Sequence, residues 1–172
     1  AAVMYEQGLP APFAKSQPFR IEEVELEGPG EGEILVEVRG AGLCHSDLSV
    51  VEGLRKRPLP IVGGHEGAGI VREVGRGVTG FQPGDHVAMA AVAGCGKCRT
   101  CLAGKPGLCQ AVSGARADGM LATGARRLRM LDGSRLNHYS GISVYAQYAV
   151  VVPQALVKIE KDVPLDVAAI FG

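Results

Sequence analysis

Apolar and polar residues alternate along residues 33–40 (EILVEVRG), the pattern of a strand with one buried and one wet face. Residues 19–26 read as another strand, and the GPGEG segment at 28–32 between them reads as a turn. A short helical or looped stretch follows Cys44-His45-Ser46-Asp47 until Pro58 and Pro60 break it. Beyond them, residues 61–74 present a glycine-rich turn and then a strand over 68–74. The Phe81-Gln82-Pro83-Gly84-Asp85 segment is a turn leading into a buried strand at 86–93. Residues 113–137 show no clean period and predict an irregular loop with a hairpin. Residues 143–152 read as a strand and 153–159 as extended chain. A helix is expected over 164–170, capped by Asp162 with Pro164 in its first turn. Many short strands and few helices predict an all-β, barrel-like architecture. No linker, repeat or compositional break divides it, so residues 1–172 are expected to form one domain.

Composition sharpens this picture in three ways. Apolar residues make up 47% and charged residues 21%, which places the chain with folded proteins rather than disordered ones. Eighteen basic residues balance eighteen acidic ones, so a nucleic-acid or anionic-membrane partner is not expected. The basic group Arg126, Arg127 and Arg129 fits an exposed loop or strand edge. No stretch approaches the roughly twenty apolar residues of a membrane span, and residues 1–7 lack the pattern of a signal peptide. A cytoplasmic location is the expectation.

The five cysteines carry the strongest chemical signal. Cys44 stands alone, whereas Cys95, Cys98, Cys101 and Cys109 crowd together, with two residues between each of the first three. An odd count at tight spacing favours thiolate ligands over a disulfide framework. Four thiolates in one loop can close a tetrahedron around zinc, and such a site, with every position taken by protein, is structural. Lys97, Arg99 and Lys105 lie among them and offset the negative charge. The alternative at this spacing is an iron–sulfur or redox thiol loop. A second constellation joins Cys44-His45-Ser46-Asp47 to Gly63-Gly64-His65-Glu66. Cys44 and His65 are the mixed ligands of a catalytic zinc with an open position; the plainer alternative is a buried thiol and a satisfied histidine. Asp47 can accept a hydrogen bond from the far nitrogen of His65, and Ser46 can pass a proton from an alcohol.

The run from Gly64 to Val78 (GHEGAGIVREVGRGV) resembles the signature of the zinc-containing medium-chain alcohol dehydrogenases. The four-cysteine lobe and the Gly84-Asp85-His86-Val87 turn follow in that family's order, and the resemblance covers essentially the whole chain. It implies a mainly β, GroES-like, partly open β-barrel with a few short helices and a zinc-binding lobe. In the family a Rossmann domain that binds NAD or NADP normally follows.

By position the resemblance implies that Cys44 and His65 are two of three catalytic-zinc ligands and that Glu66 is the carboxylate beside that metal. It makes Ser46 the hydroxyl that takes the substrate proton and His45 a contact to the cofactor's pyrophosphate; His86 and His138 are left as structural. The implied reaction interconverts a small alcohol with an aldehyde or ketone by hydride transfer to NAD(P), and the full-length protein is expected to be a homo-oligomer. Two departures stand out. Ser49 occupies a position where many family members have a relay histidine, and the segment at 168–172 resembles one whose next residue is the third ligand. No strand–GxGxxG–helix unit occurs, so this stretch alone is expected to lack turnover. Three other readings stay open: a formaldehyde dehydrogenase acting on a thiol adduct, a non-catalytic zinc-stabilised module, and an electron-transfer protein using the four-cysteine loop.

Overall fold

The computed structural model describes residues 1–91 and 94–171. Two nine-residue strands form its spine. β4 (Ile34–Gly42) and β6 (Glu66–Val74) run antiparallel, after the short β1 (Ala2–Met4), β2 (Phe19–Ile21), β3 (Val24–Leu26) and β5 (Ile61–Val62) in chain order. With β7 (His86–Met89), β10 (Tyr148–Val151) and β11 (Leu156–Ile159) they make a five-stranded sheet of order β10-β4-β6-β7-β11. Ile34, Val36, Val71, Val87, Met89 and Val151 are fully buried beneath it, and this is where the main core lies. A second sheet, β2-β1-β5-β9, uses β9 (Asn137–His138), and a two-stranded ribbon pairs β3 with β8 (Leu128–Met130). The architecture is mainly β with a few short helices, as expected.

Register fixes the site. The β4–β6 ladder pairs Gly42 with Glu66, so the end of β4 that leads to Cys44 lies beside the start of β6 that follows His65. After the short α1 (Phe13–Ser16), helix α2 (His45–Val51) leaves this corner, and its Val50 and Val51 are buried with Met4, Ile61 and Tyr139.

Several local expectations need correction. Residues 19–26 are two strands rather than one: β2 pairs with β1, the chain crosses at Glu22-Glu23, and β3 pairs with β8 in a different sheet. The strand expected at 86–93 ends at Met89, where its partner β11 gives way to the 3-10 turn Pro153–Ala155; Val92 and Ala93 lie outside the described residues. The stretch expected to be irregular opens inside a helix (Gln110–Ala117) with Val112 as its one buried residue. A helix with so little buried surface has no apolar stripe for periodicity to reveal. The strand expected over 143–152 is only Tyr148–Val151, since Ser140 and Ser143 adopt φ of 54° and 57° in a turn before it. The extended segment at 153–159 begins with a 3-10 turn, Pro153–Ala155. The last helix is Leu165–Ala168 with Pro164, not Asp162, at its N-cap. The Arg126–Arg129 group does lie on a loop and a strand edge, as expected, and is paired there: Arg127 Nε lies 2.8 Å from Glu33, Arg129 Nε 2.9 Å from Glu27, and Arg126 Nε donates to Asn137 Oδ1. Among the described residues no helix is long and apolar enough to cross a membrane.

One buried histidine makes the fold pH-sensitive. His138 accepts the Arg127 backbone N–H at Nε2, its Nδ1 has no partner, and burial holds its pKa down to about 4. The unfolded chain protonates this ring near 6.5, so between those values it binds more protons than the native state, and stability falls with acidification. The loss is about 2 kcal/mol by pH 5. Urea denaturation from pH 7 to pH 5 checks this, since His138→Gln is expected to flatten the pH slope.

Candidate metal centres

The four-cysteine cluster forms where the chain leaves β7. Cys98 caps the short helix α3 (Arg99–Leu102), and Cys109 caps α4 (Gln110–Ala117). Their sulfurs, with those of Cys95 and Cys101, all lie within 4.8 Å of one another. Cys95 Sγ is 4.0 Å from Cys101 Sγ, and Cys98 Sγ is 3.8 Å from Cys109 Sγ. A tetrahedron of sulfurs at the zinc–thiolate distance of ~2.3 Å has edges of ~3.8 Å. The donor set therefore fits one zinc ion, and separations this short leave no room for a multi-iron cluster among the sulfurs. All five cysteines are free. The Thr100 hydroxyl, and after it the Cys101 backbone amide, holds the Cys98 thiol down to about 6. Burial, with the neighbouring Cys98 thiol, pushes Cys101 up to about 11.

The second centre is assembled at the β4–β6 corner. Cys44, His65 and Glu66 bring one ligand atom each within 4.8 Å of one another. Cys44 precedes α2 as its N-cap residue; its Sγ accepts the Ser46 N–H at 3.5 Å, and its own N–H donates to Asp47 Oδ2 at 3.1 Å. The other oxygen of Asp47, Oδ1, lies 3.1 Å from His65 Nδ1. One buried carboxylate thus fixes both the helix start and the imidazole. With the proton of His65 held at Nδ1, Nε2 is left with a lone pair for a metal.

Aromatic rings wall this corner. Tyr139 meets the His65 ring edge-on at a centroid distance of 5.2 Å and donates through its hydroxyl to the Ser46 carbonyl at 3.3 Å. Tyr145 donates to the Gly42 carbonyl at 3.1 Å, and burial raises its pKa. Its ring lies where a Cβ on Gly64 would sit, and Gly64 also needs its φ of 84°, so glycine is required just before His65. Gly42 leaves room for the Glu66 carboxylate in the same way. Sequence reasoning missed both tyrosines, because a ring packed from a distant segment leaves no local signal.

The remaining site residues are placed as follows. Ser46 is half-buried in the first turn of α2, next to Cys44. His45 is exposed and turned from the metal set, with Nδ1 3.4 Å from Ser49 Oγ. The serine that replaces the relay histidine thus adjoins His45, and its hydroxyl also donates to the His45 carbonyl at 3.0 Å.

Comparison with known proteins bears on both centres. Residues 30–161 match the family described as "Alcohol dehydrogenase GroES-like domain". The chain is 39% identical over 173 residues to an S-(hydroxymethyl)glutathione dehydrogenase from Paracoccus denitrificans, covering 100% of this chain and 44% of that protein. Among solved structures, an alcohol dehydrogenase zinc-binding domain protein from Burkholderia ambifaria superposes with a TM-score of 0.86 at 35% identity, covering 97% of this chain and 43% of the other. Benzyl alcohol dehydrogenase from Acinetobacter calcoaceticus gives 0.83 at 34%, covering 98% and 43%. The chain thus spans less than half the length of the relatives it matches.

Proposed function

The chain belongs to the alcohol dehydrogenase GroES-like domain family, and on that footing we propose that residues 1–172 are the zinc-binding catalytic domain of an NAD(P)-dependent alcohol dehydrogenase. The observation that carries this reading is the buried Asp47–His65 contact beside Cys44 and Glu66, a ligand set with its imidazole already oriented. Zinc held by Cys44, His65 and Glu66 would supply a Lewis acid for an alcohol or carbonyl oxygen, and zinc held by the four-cysteine lobe would be structural.

The chain's own residues do the rest. Asp47 keeps a proton on His65 Nδ1 and so keeps Nε2 free. Tyr139 and Tyr145 exclude water from one side of the centre. Ser46 Oγ accepts the proton that an alcohol gives up while passing its own hydroxyl proton on to water, and exposed His45 would contact a cofactor pyrophosphate. The hydride goes to a nicotinamide bound outside these residues, because no dinucleotide fingerprint lies within them. The substrate class is a small alcohol or its carbonyl. A thiol adduct of formaldehyde is the second reading, favoured by the S-(hydroxymethyl)glutathione dehydrogenase relative.

Zinc titration tests the proposal. One ion is expected to bind tightly at the four-cysteine lobe and a second more weakly at Cys44–His65–Glu66. Asp47→Ala should weaken the second alone, by roughly ten- to a hundredfold. A chain that takes up a single zinc, with no change on Asp47→Ala, sinks the catalytic reading. Turnover of benzyl alcohol against a hydroxymethyl thiol, measured with NAD(P) in the full-length enzyme, separates the two substrate readings.

A further inference from the structure

Three arginines gather around Tyr139, the residue that packs on His65. The Arg57 guanidinium lies over its ring, 5.9 Å from the centroid, and Arg55 lies beside its hydroxyl. Arg116, from α4, reaches the same turn, its side chain lying against Gly141, and burial, and after it repulsion from Arg57 and Arg55, lowers its pKa. None of the three forms an ion pair with a carboxylate among the described residues. The carboxylate that acts on Tyr139, Asp47, already serves His65 with one oxygen and the Cys44 amide with the other. Arg57 Nε is buried with no hydrogen-bond partner, an arrangement that costs free energy unless an acceptor meets it.

The arginines are not loosely tethered. Gln7 clamps their loop through one side-chain amide, its Nε2 donating to the Val50 carbonyl at 2.7 Å and the Arg55 carbonyl at 2.9 Å. Its Oε1 accepts the Arg57 N–H at 3.1 Å, and the Arg55 N–H is held by the Ser49 carbonyl. Like charges gathered and held in place, with no internal counter-charge, raise the energy of the empty site and lower that of a site holding an anion.

From this juxtaposition we propose that Arg55, Arg57 and Arg116 form an oxyanion subsite next to the Cys44–His65–Glu66 centre, so that the substrate is an alcohol or carbonyl compound carrying a carboxylate or phosphate. This rests on the proposed function for its reacting end. The subsite itself is a property of the arginines and stands without turnover. Planar guanidinium groups bind either oxyanion through paired N–H donors, and salt weakens the attraction.

Nuclear magnetic resonance of the zinc-loaded chain tests it. Benzoate, phenyl phosphate and neutral benzamide are titrated while the Arg57 Nε–H signal is followed, and zinc content is measured in parallel. Benzoate or phenyl phosphate is expected to shift that signal saturably, the better of the two identifying the anion, and benzamide is not. Arg55→Gln, whose side chain is exposed, and Arg116→Gln should each weaken the shift by roughly tenfold. Added salt should weaken it as well. No shift with either anion, the same shift with benzamide, or a shift untouched by both variants overturns the subsite. Loss of the second zinc with the anion response intact would instead count against the proposed function alone.

Discussion

Serine in place of Cys98 or Cys101 is expected to release zinc from the four-sulfur lobe and to unfold residues 94–109 while the five-stranded sheet persists. The lobe has almost no core of its own. Leu102 is 75% exposed and Leu108 is 64% exposed, and Cys109 is the lobe's one buried apolar residue. Helix α3 is four residues long, far below the ~12 residues at which an isolated helix becomes even marginal in water. Helix propensity and burial therefore cannot hold this loop, and a zinc ion bound by the four sulfurs would stand in for a core. Structural zinc sites bind with roughly 10–16 kcal/mol, much of which appears as folding free energy, so losing one of four ligands is a large effect. Zinc stoichiometry should fall by one ion per chain. Amide hydrogen exchange should accelerate within the lobe and stay slow in β4 and β6. Retention of that zinc with unchanged exchange would show that the four sulfurs do not share an ion.

The two centres were legible in the sequence for different reasons. The four cysteines are local: a spacing of two residues brings sulfurs together whatever the rest of the chain does, and the structure places all four where that spacing points. Cys44 and His65 are remote from each other, and only the run around His65 pointed to a partner. Their meeting depends on the β4–β6 register, which pairs Gly42 with Glu66. The Asp47–His65 contact was legible in the same indirect way. Tyr139 was not, since it lies in a turn where Ser140 and Ser143 take left-handed backbone angles that no alternation of residues announces.

Charge is legible only in part, for a related reason. Arg126, Arg127 and Arg129 stand out as a basic group, yet fold onto Glu33, Glu27 and Asn137. The run Arg55-Lys56-Arg57 is as basic. Its signal was present in the sequence; its proximity to Arg116 was not, because α4 itself was hidden by its thin apolar face.

Glu33 shows the same limit in the core, and its removal is the other large effect expected. In an alternating strand it reads as a solvent-facing residue, but its side chain is 1% exposed, at the opposite end of β4 from Cys44. It accepts three hydrogen bonds, from Gly30 N at 2.8 Å, Thr123 Oγ1 at 2.6 Å and Arg127 Nε at 2.8 Å. Those donors come from three separate segments, so one carboxylate ties the turn before β4, the loop after α4 and the approach to β8. Glu33→Ala leaves all three donors facing a cavity, and breaking a buried pair in this way costs about 3–5 kcal/mol. Glu33→Gln keeps the volume and an acceptor but removes the charge that faces Arg127, so its cost should be clearly smaller. Chemical denaturation of both variants measures the difference. Equal and small losses would mean that water replaces the carboxylate at no cost, and that the far end of β4 is held by the apolar contacts of Ile34 and Val36 alone.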